Sequence, residues 1–471
     1  MSTLQFSPCK IVRHSLLLAA LGAGLWPFMA RAGEAVTAAG SAVSATSFSG
    51  EPLAADDVSW LFPPPRTVQD LDNGIAIADL TAPDPKNPSI RNPIWPAAAF
   101  AKFIENADAT RIANAGIQVE LPSDAHDIKA WRVAGLRIDP GAPGVSSEIV
   151  GQFGQSPQLR FILQPVSVLP GGRVQVHDVA AHVIYSFLAA PPKPLDGCPL
   201  GLAQPDTEAF HRLALDFASL RDELANGRFS GKKVVTAGRL LGVHPGLADS
   251  QTAKPLRDAL VAVLERNLTG QRLTAMALMG LNKNAPEPWV FQAMALQAGV
   301  FVSAPGPALD GAQFAEALGV LPSTRVSPTP APNNLNPITC KFGGAVPVPQ
   351  RRGLATTALF KLGDSKLTNP AKIAAVKETV DLIADPTRSH FFNTDCVSCH
   401  TDTRRTLDLL SGASIPGVDP AVLPKEKWNV RNFGWFPSFL RKTLEATATR
   451  RAASETGAVV NFINSKGLAK P

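Results

Sequence analysis

Cys396-Val397-Ser398-Cys399-His400 is the feature that most narrows what this 471-residue chain can become. Two thiols at this spacing can each form a thioether to a haem vinyl group, and the adjacent imidazole is then held where it can ligate the iron from the proximal side. With five Cys and eight His in the whole chain, coincidence explains the run poorly. A thioredoxin-type dithiol wants a βαβ frame, and a zinc ribbon wants a second Cys pair, which the sequence lacks. Covalently bound haem c, with its iron on His400, is the expected cofactor; a redox or disulfide pair is the alternative.

The N-terminus points to the compartment where such haem is attached. Lys10 and Arg13 precede an apolar run over residues 16–29, and Ala30-Arg31-Ala32 follows as an A-x-A cleavage site. This is the layout of a Sec signal peptide at 1–32, cleaved near Ala32, and it predicts a periplasmic product. The run is shorter than the roughly 20 residues a membrane span needs, Pro27 interrupts it, and no later stretch is long enough, so no span is expected in the mature chain. Loss of Lys10, Arg13 and Arg31 lowers the formal charge from +6 to +3, too little to suggest a nucleic-acid partner. Cys198 and Cys340, each in a Pro-containing stretch, are candidates for a disulfide in that oxidising compartment.

Hydrophobic periodicity outlines the rest. Residues 33–58 are rich in small and polar types and read as a flexible lead-in. From 59 to 299 helical and strand patterns mix: helix-like composition at 98–114, strands at 131–138, 158–168 and 174–187 with Pro170-Gly171-Gly172 as a hairpin turn, and a helix carrying Phe210, Leu213, Phe217, Leu220 and Leu224. A helix at 255–267 and strands at 272–281 and 289–296 follow, giving an α+β domain with β-hairpins and packed helices. His177, Asp178 and His182 are no metal site, because an offset of five sends the two imidazoles to opposite faces of a strand. His244, in a turn, reads as solvated, and Met276, Met279 and Met294 read as core. The large domain carries no nameable catalytic motif. Residues 300–359 are Pro-rich and read as a connection.

Around the haem motif the pattern is helical. Asn369-Pro370 is a helix start, with Ile373, Val376, Val380 and Ile383 on one stripe before Pro386; Ala452, Thr456, Val459 and Ile463 trace a stripe on a last helix. Two amphipathic helices bracketing Cys-x-x-Cys-His resemble a small c-type cytochrome domain over roughly residues 360–471. The resemblance implies a small all-α domain in which Cys396 and Cys399 hold the vinyl groups and His400 is the proximal ligand. It departs from the family on the distal side, since neither Met nor His follows residue 400. His390 is the nearest upstream candidate, and Lys425, Lys427 and Asn429 are weaker; an open position is the remaining option. Trp428, Trp435 and neighbouring aromatics suit either an apolar lid over a porphyrin or an ordinary core, with Arg431 able to meet a propionate.

One-electron transfer to an unidentified redox partner is the function this pattern implies. Two alternatives stay open: a haem oxidoreductase of peroxidase type, or a haem sensor, with an open iron position; and a partner-binding module in which haem is structural.

Overall fold

A computed structural model describes residues 51–109, 111–112, 117–141, 150–151, 153–195, 198–282, 289–297, 300–303, 346–347, 368–387, 396–410, 412–426, 429–438 and 441–469. The expected signal peptide and most of the lead-in and Pro-rich connection lie outside these residues, as do His390, Trp428 and Cys340.

Strands β1 (Ser59–Leu61), β2 (Trp131–Asp139), β3 (Gln158–Val168), β4 (Val174–Val176), β5 (Ala180–Ser186), β6 (Leu273–Asn282), β7 (Trp289–Gln297) and β8 (Val300–Ser303) belong to one antiparallel sheet. Its main path runs β1-β2-β3-β5-β6-β7-β8, and β4 pairs with the end of β3. The β3–β4 turn places Gly171 at φ 81° and Gly172 at φ 75°, a left-handed region that glycine enters without steric cost. The strand expected over 174–187 breaks at residues 177–179, where the His177 amide returns to the Pro165 carbonyl at 3.0 Å and Asp178 is turned off the ladder.

Helices α1 (Ala97–Ala109), α2 (Thr207–Ala225) and α3 (Ala253–Asn267) supply the apolar residues for one face of this sheet. Phe103 of α1, Leu213, Phe217 and Leu224 of α2, and Leu256 and Leu260 of α3 share a core with Phe161, Leu163, Val183, Tyr185, Met276 and Leu278 of the strands. α1 stops five residues short of the expected end, and a short strand, Arg111–Ile112, follows.

The other sheet face alternates with the first and carries Arg160, Ile162, Gln164 and His182. It is not a solvated face: the C-terminal region covers it. There α4 (Pro370–Ala384), α5 (Cys396–Leu409) and α6 (Arg450–Lys466) surround a hairpin of β9 (Phe433–Pro437) and β10 (Leu444–Ala448). Asn369 caps α4 by accepting the Ala371 amide at 3.0 Å, and the expected stripe of α6 is buried throughout. The region is therefore not the all-α domain the resemblance implied. The run 433–437 pairs with 444–448, and its aromatics gain burial there, Trp435 in the core shared with the sheet and Phe436 also buried. Nor is it separately cored, since residues 47–471 form one compact unit in which Trp435, Val459 and Ile463 join the cluster containing Trp60 and Phe161.

Candidate functional site

The motif opens α5, so Cys396, Cys399 and His400, three and four residues apart, lie on one face of the helix. The Nδ1 of His400 is 2.7 Å from the carbonyl oxygen of Val430. A carbonyl only accepts, so Nδ1 carries the proton and the neutral ring keeps its lone pair on Nε2. Burial, which outweighs the Val430 bond, pushes the imidazole down to about 4, and the ring is neutral at pH 7.

Side chains on either side of Val430 hold that carbonyl in place. Asn429 Nδ2 donates to Thr447 Oγ1 at 2.8 Å, and its Oδ1 accepts the Arg431 amide at 3.1 Å. Asn432 accepts a backbone and a side-chain bond from Thr449, the N-cap of α6, and its Nδ2 lies 3.7 Å from the Cys399 sulfur. α5 is tied to the same frame: Thr403 Oγ1 accepts the Arg450 amide at 2.9 Å, and Arg404 pairs with Asp408 while donating to the Pro424 carbonyl at 2.7 Å. Cys399 is half-buried, and burial pushes its thiol up to about 12.

Beneath the motif lies a buried ionic network that joins α6 to the sheet. Arg137 contacts Asp139 at 3.2 Å and Glu455 at 2.5 Å, Arg160 contacts Asp139 at 3.0 Å, and Arg451 contacts Glu455 at 2.7 Å. Burial disfavours the Glu455 carboxylate, but Arg137, Arg451 and Arg160 together hold it well below the usual range. Three guanidiniums meet two carboxylates here, and among the described residues Arg137 Nε and the buried Asp402 Oδ2 have no hydrogen-bond partner. Sequence reasoning missed this network. Its one signal was arginine at inward positions of apolar strands.

Arg431, expected near a propionate, is an interior tie: Nε donates to the Trp435 carbonyl at 3.1 Å, Nη1 reaches the Met279 sulfur at 3.5 Å, and Nη2 pairs with Asp178. Trp435 is core; its indole donates to the Phe62 carbonyl at 2.8 Å. Met276 and Met294 lie in the core as expected, whereas Met279 is buried but on the motif side of the sheet. His244 is not solvated: it stacks on Trp60 at 4.0 Å and 15°, an apolar contact that withdraws it from water. His177 meets Ser167 Oγ at 2.5 Å, away from His182. Cys198 opens a strand, Cys198–Pro205, and its expected partner lies outside the described residues.

Among the described residues no group of three or more His, Cys, Asp or Glu side chains is arranged to hold a metal ion, which does not bear on iron in a porphyrin needing one or two protein ligands. No helix among them is long and apolar enough to cross a membrane. No protein-family model matches the chain, and neither a curated protein nor a solved structure is significantly similar to it.

Proposed function

We propose that this chain is an exported mono-haem c-type cytochrome that passes single electrons to a redox partner, with haem c bound covalently through Cys396 and Cys399. The observation that carries the reading is the Nδ1–H of His400 on the Val430 carbonyl at 2.7 Å, one residue after a cysteine on the same helix face. Metal-ligating histidines characteristically give their other ring N–H to such an acceptor, which fixes the ring and leaves Nε2 for the metal. The donor set fits haem: thiols for the vinyl groups, a neutral oriented imidazole for the iron, and an unpartnered buried Arg137 Nε beside Arg160 for an anionic propionate.

Bound haem would supply a one-electron ferric–ferrous couple. The protein's part is to keep His400 neutral and oriented, to exclude water with the sheet face and α6, and to set the local field through Arg137, Arg160 and Arg451 against Asp139 and Glu455. The alternative redox dithiol is disfavoured by the same geometry, because such a thiol needs a lowered pKa and access, and the Cys399 thiol is pushed up to about 12 by burial.

The test is haem staining after denaturing electrophoresis of protein matured in a periplasm with haem-attachment machinery. The wild type should retain haem, and the Cys396→Ser, Cys399→Ser variant should lose it. Haem surviving denaturation in that variant, or none in the wild type, would overturn the proposal.

A further inference from the structure

His182 lies on the sheet face that the C-terminal hairpin covers. Its register partner on β3 is Ile162, and its partner on β6 is Ala277. A Cβ on Gly434 of β9 would come within 3.2 Å of Ile162, so the hairpin that follows Val430 sits on this face. The neighbouring rung gives the distance along the strand. Met279 pairs with Ala180, two residues before His182, and the Met279 sulfur is 3.5 Å from Arg431. The segment whose carbonyl orients His400 therefore touches the sheet about 7 Å from His182, at about 3.3 Å per strand residue.

The surroundings of His182 are those of a ligand rather than of a structural histidine. Among the described residues no hydrogen-bond partner meets its ring. Half-buried, it is pushed down to about 3 by burial, followed by the fields of Arg160 and Arg137 and with a further contribution from His400, so it is neutral with a lone pair to give. Ala275 and Ala277 of β6 add only methyl groups to the face beside it, and all three residues retain some accessible surface. The other nearby candidate, Met279, already takes the Arg431 guanidinium on its sulfur.

We infer that His182 is the second axial ligand of the haem iron, so that the sheet of the large N-terminal region supplies one side of the coordination and α5 the other. This rests on the covalent-haem reading above. It also accounts for the absence of any Met or His after residue 400 and for the shared core of the two regions. The large region is then half of the haem site rather than an appended domain.

The experiment is absorption, electron paramagnetic resonance and near-infrared magnetic circular dichroism on the full-length matured protein and three variants, His182→Ala, Met279→Leu and His390→Ala. The wild type should be low-spin with two imidazoles and without the sulfur-to-iron charge-transfer band in the red, and should resist CO when reduced. His182→Ala should lose the low-spin signal, bind CO, and regain the signal with added imidazole; Met279→Leu and His390→Ala should leave it in place. Should His182→Ala not fold, the wild-type spectrum and a bis-imidazole signal surviving in His390→Ala carry the same assignment. A sulfur charge-transfer band, a CO-binding wild type, or an unchanged low-spin His182→Ala would overturn it while leaving covalent haem standing. A wild type without haem would overturn both.

Discussion

The side chain of Gln164 binds Trp435 as a neighbouring strand would, donating to its carbonyl at 2.9 Å and accepting its amide at 2.7 Å across 271 residues of sequence. Both groups are buried, so the pair replaces a rung of sheet hydrogen bonding and fastens the C-terminal hairpin to β3. Gln164→Ala leaves the buried Trp435 amide unpaired, at about 1–3 kcal/mol, while the Trp435 carbonyl keeps Arg431 Nε as a donor. Urea unfolding should show a loss of about 1–3 kcal/mol, and Gln164→Glu should give no rescue, because a carboxylate oxygen would then face the Trp435 carbonyl.

Gly434 stands at φ 138°, where a side chain is strained, and a Cβ there would lie 2.9 Å from the Gln164 Oε1 and 3.2 Å from Ile162. Gly434→Ala should therefore cost about 1–3 kcal/mol. Chemical denaturation measures it. Combined with Gln164→Ala the loss should be less than additive, since both disturb the same contact.

Local pattern made much of this fold legible, and the residues that escaped share one cause. The stripe Phe210, Leu213, Phe217, Leu220, Leu224 and the stripe Ala452, Thr456, Val459, Ile463 are buried because period 3.6 reports which positions share a helix face. Period 2 likewise placed β3 and β6 to within a residue. Periodicity does not report what covers a face. Arg160, Gln164 and His182 alternate with apolar neighbours along their strands, yet what they face is fixed by other segments: Asp139 for Arg160, Trp435, 271 residues on, for Gln164, and the region of His400 for His182. The break at residues 177–179 was hidden for the same reason, since Asp178 leaves the ladder to meet Arg431, 253 residues on. At the site the motif spoke for Cys399 and His400, while the acceptor that orients His400 is a backbone carbonyl, to which side-chain identity is silent.

Arg431 is 2% exposed and its partner Asp178 17%, so neither charge has much water to fall back on when the other is removed. Arg431→Leu removes the guanidinium that faces the Asp178 carboxylate and one of the two donors to the Trp435 carbonyl, and should destabilise by about 3 kcal/mol. Adding Asp178→Leu should recover part of that loss, and a double-mutant cycle by thermal or urea unfolding reads the coupling as about 1–3 kcal/mol. Additive single losses would mean that the pair does not hold the Val430 segment to the sheet.

Asp56 gives the clearest pH signature outside the Cys-x-x-Cys-His region. It is fully buried with Oδ1 unpartnered, and burial, only partly offset by Arg239 at 3.2 Å and the Gly242 amide, raises its carboxyl to about 7. An acid whose folded pKa lies above its unfolded value keeps its proton longer in the folded state. Between about pH 4 and about pH 7 the unfolded chain thus binds fewer protons at this position, and its contribution to stability falls as pH rises, then levels off. Asp56→Asn cannot ionise and removes that slope. The stability of Asp56→Asn minus that of the wild type should therefore climb across this window by about 1–3 kcal/mol and be flat above pH 8. His244, buried neutral and pushed down to about 3, has the opposite slope between about pH 3 and about pH 6.5 in both proteins, so it cancels in the difference. Urea midpoints at half-unit pH steps measure the difference directly; a flat line would mean that Arg239 keeps Asp56 ionised throughout.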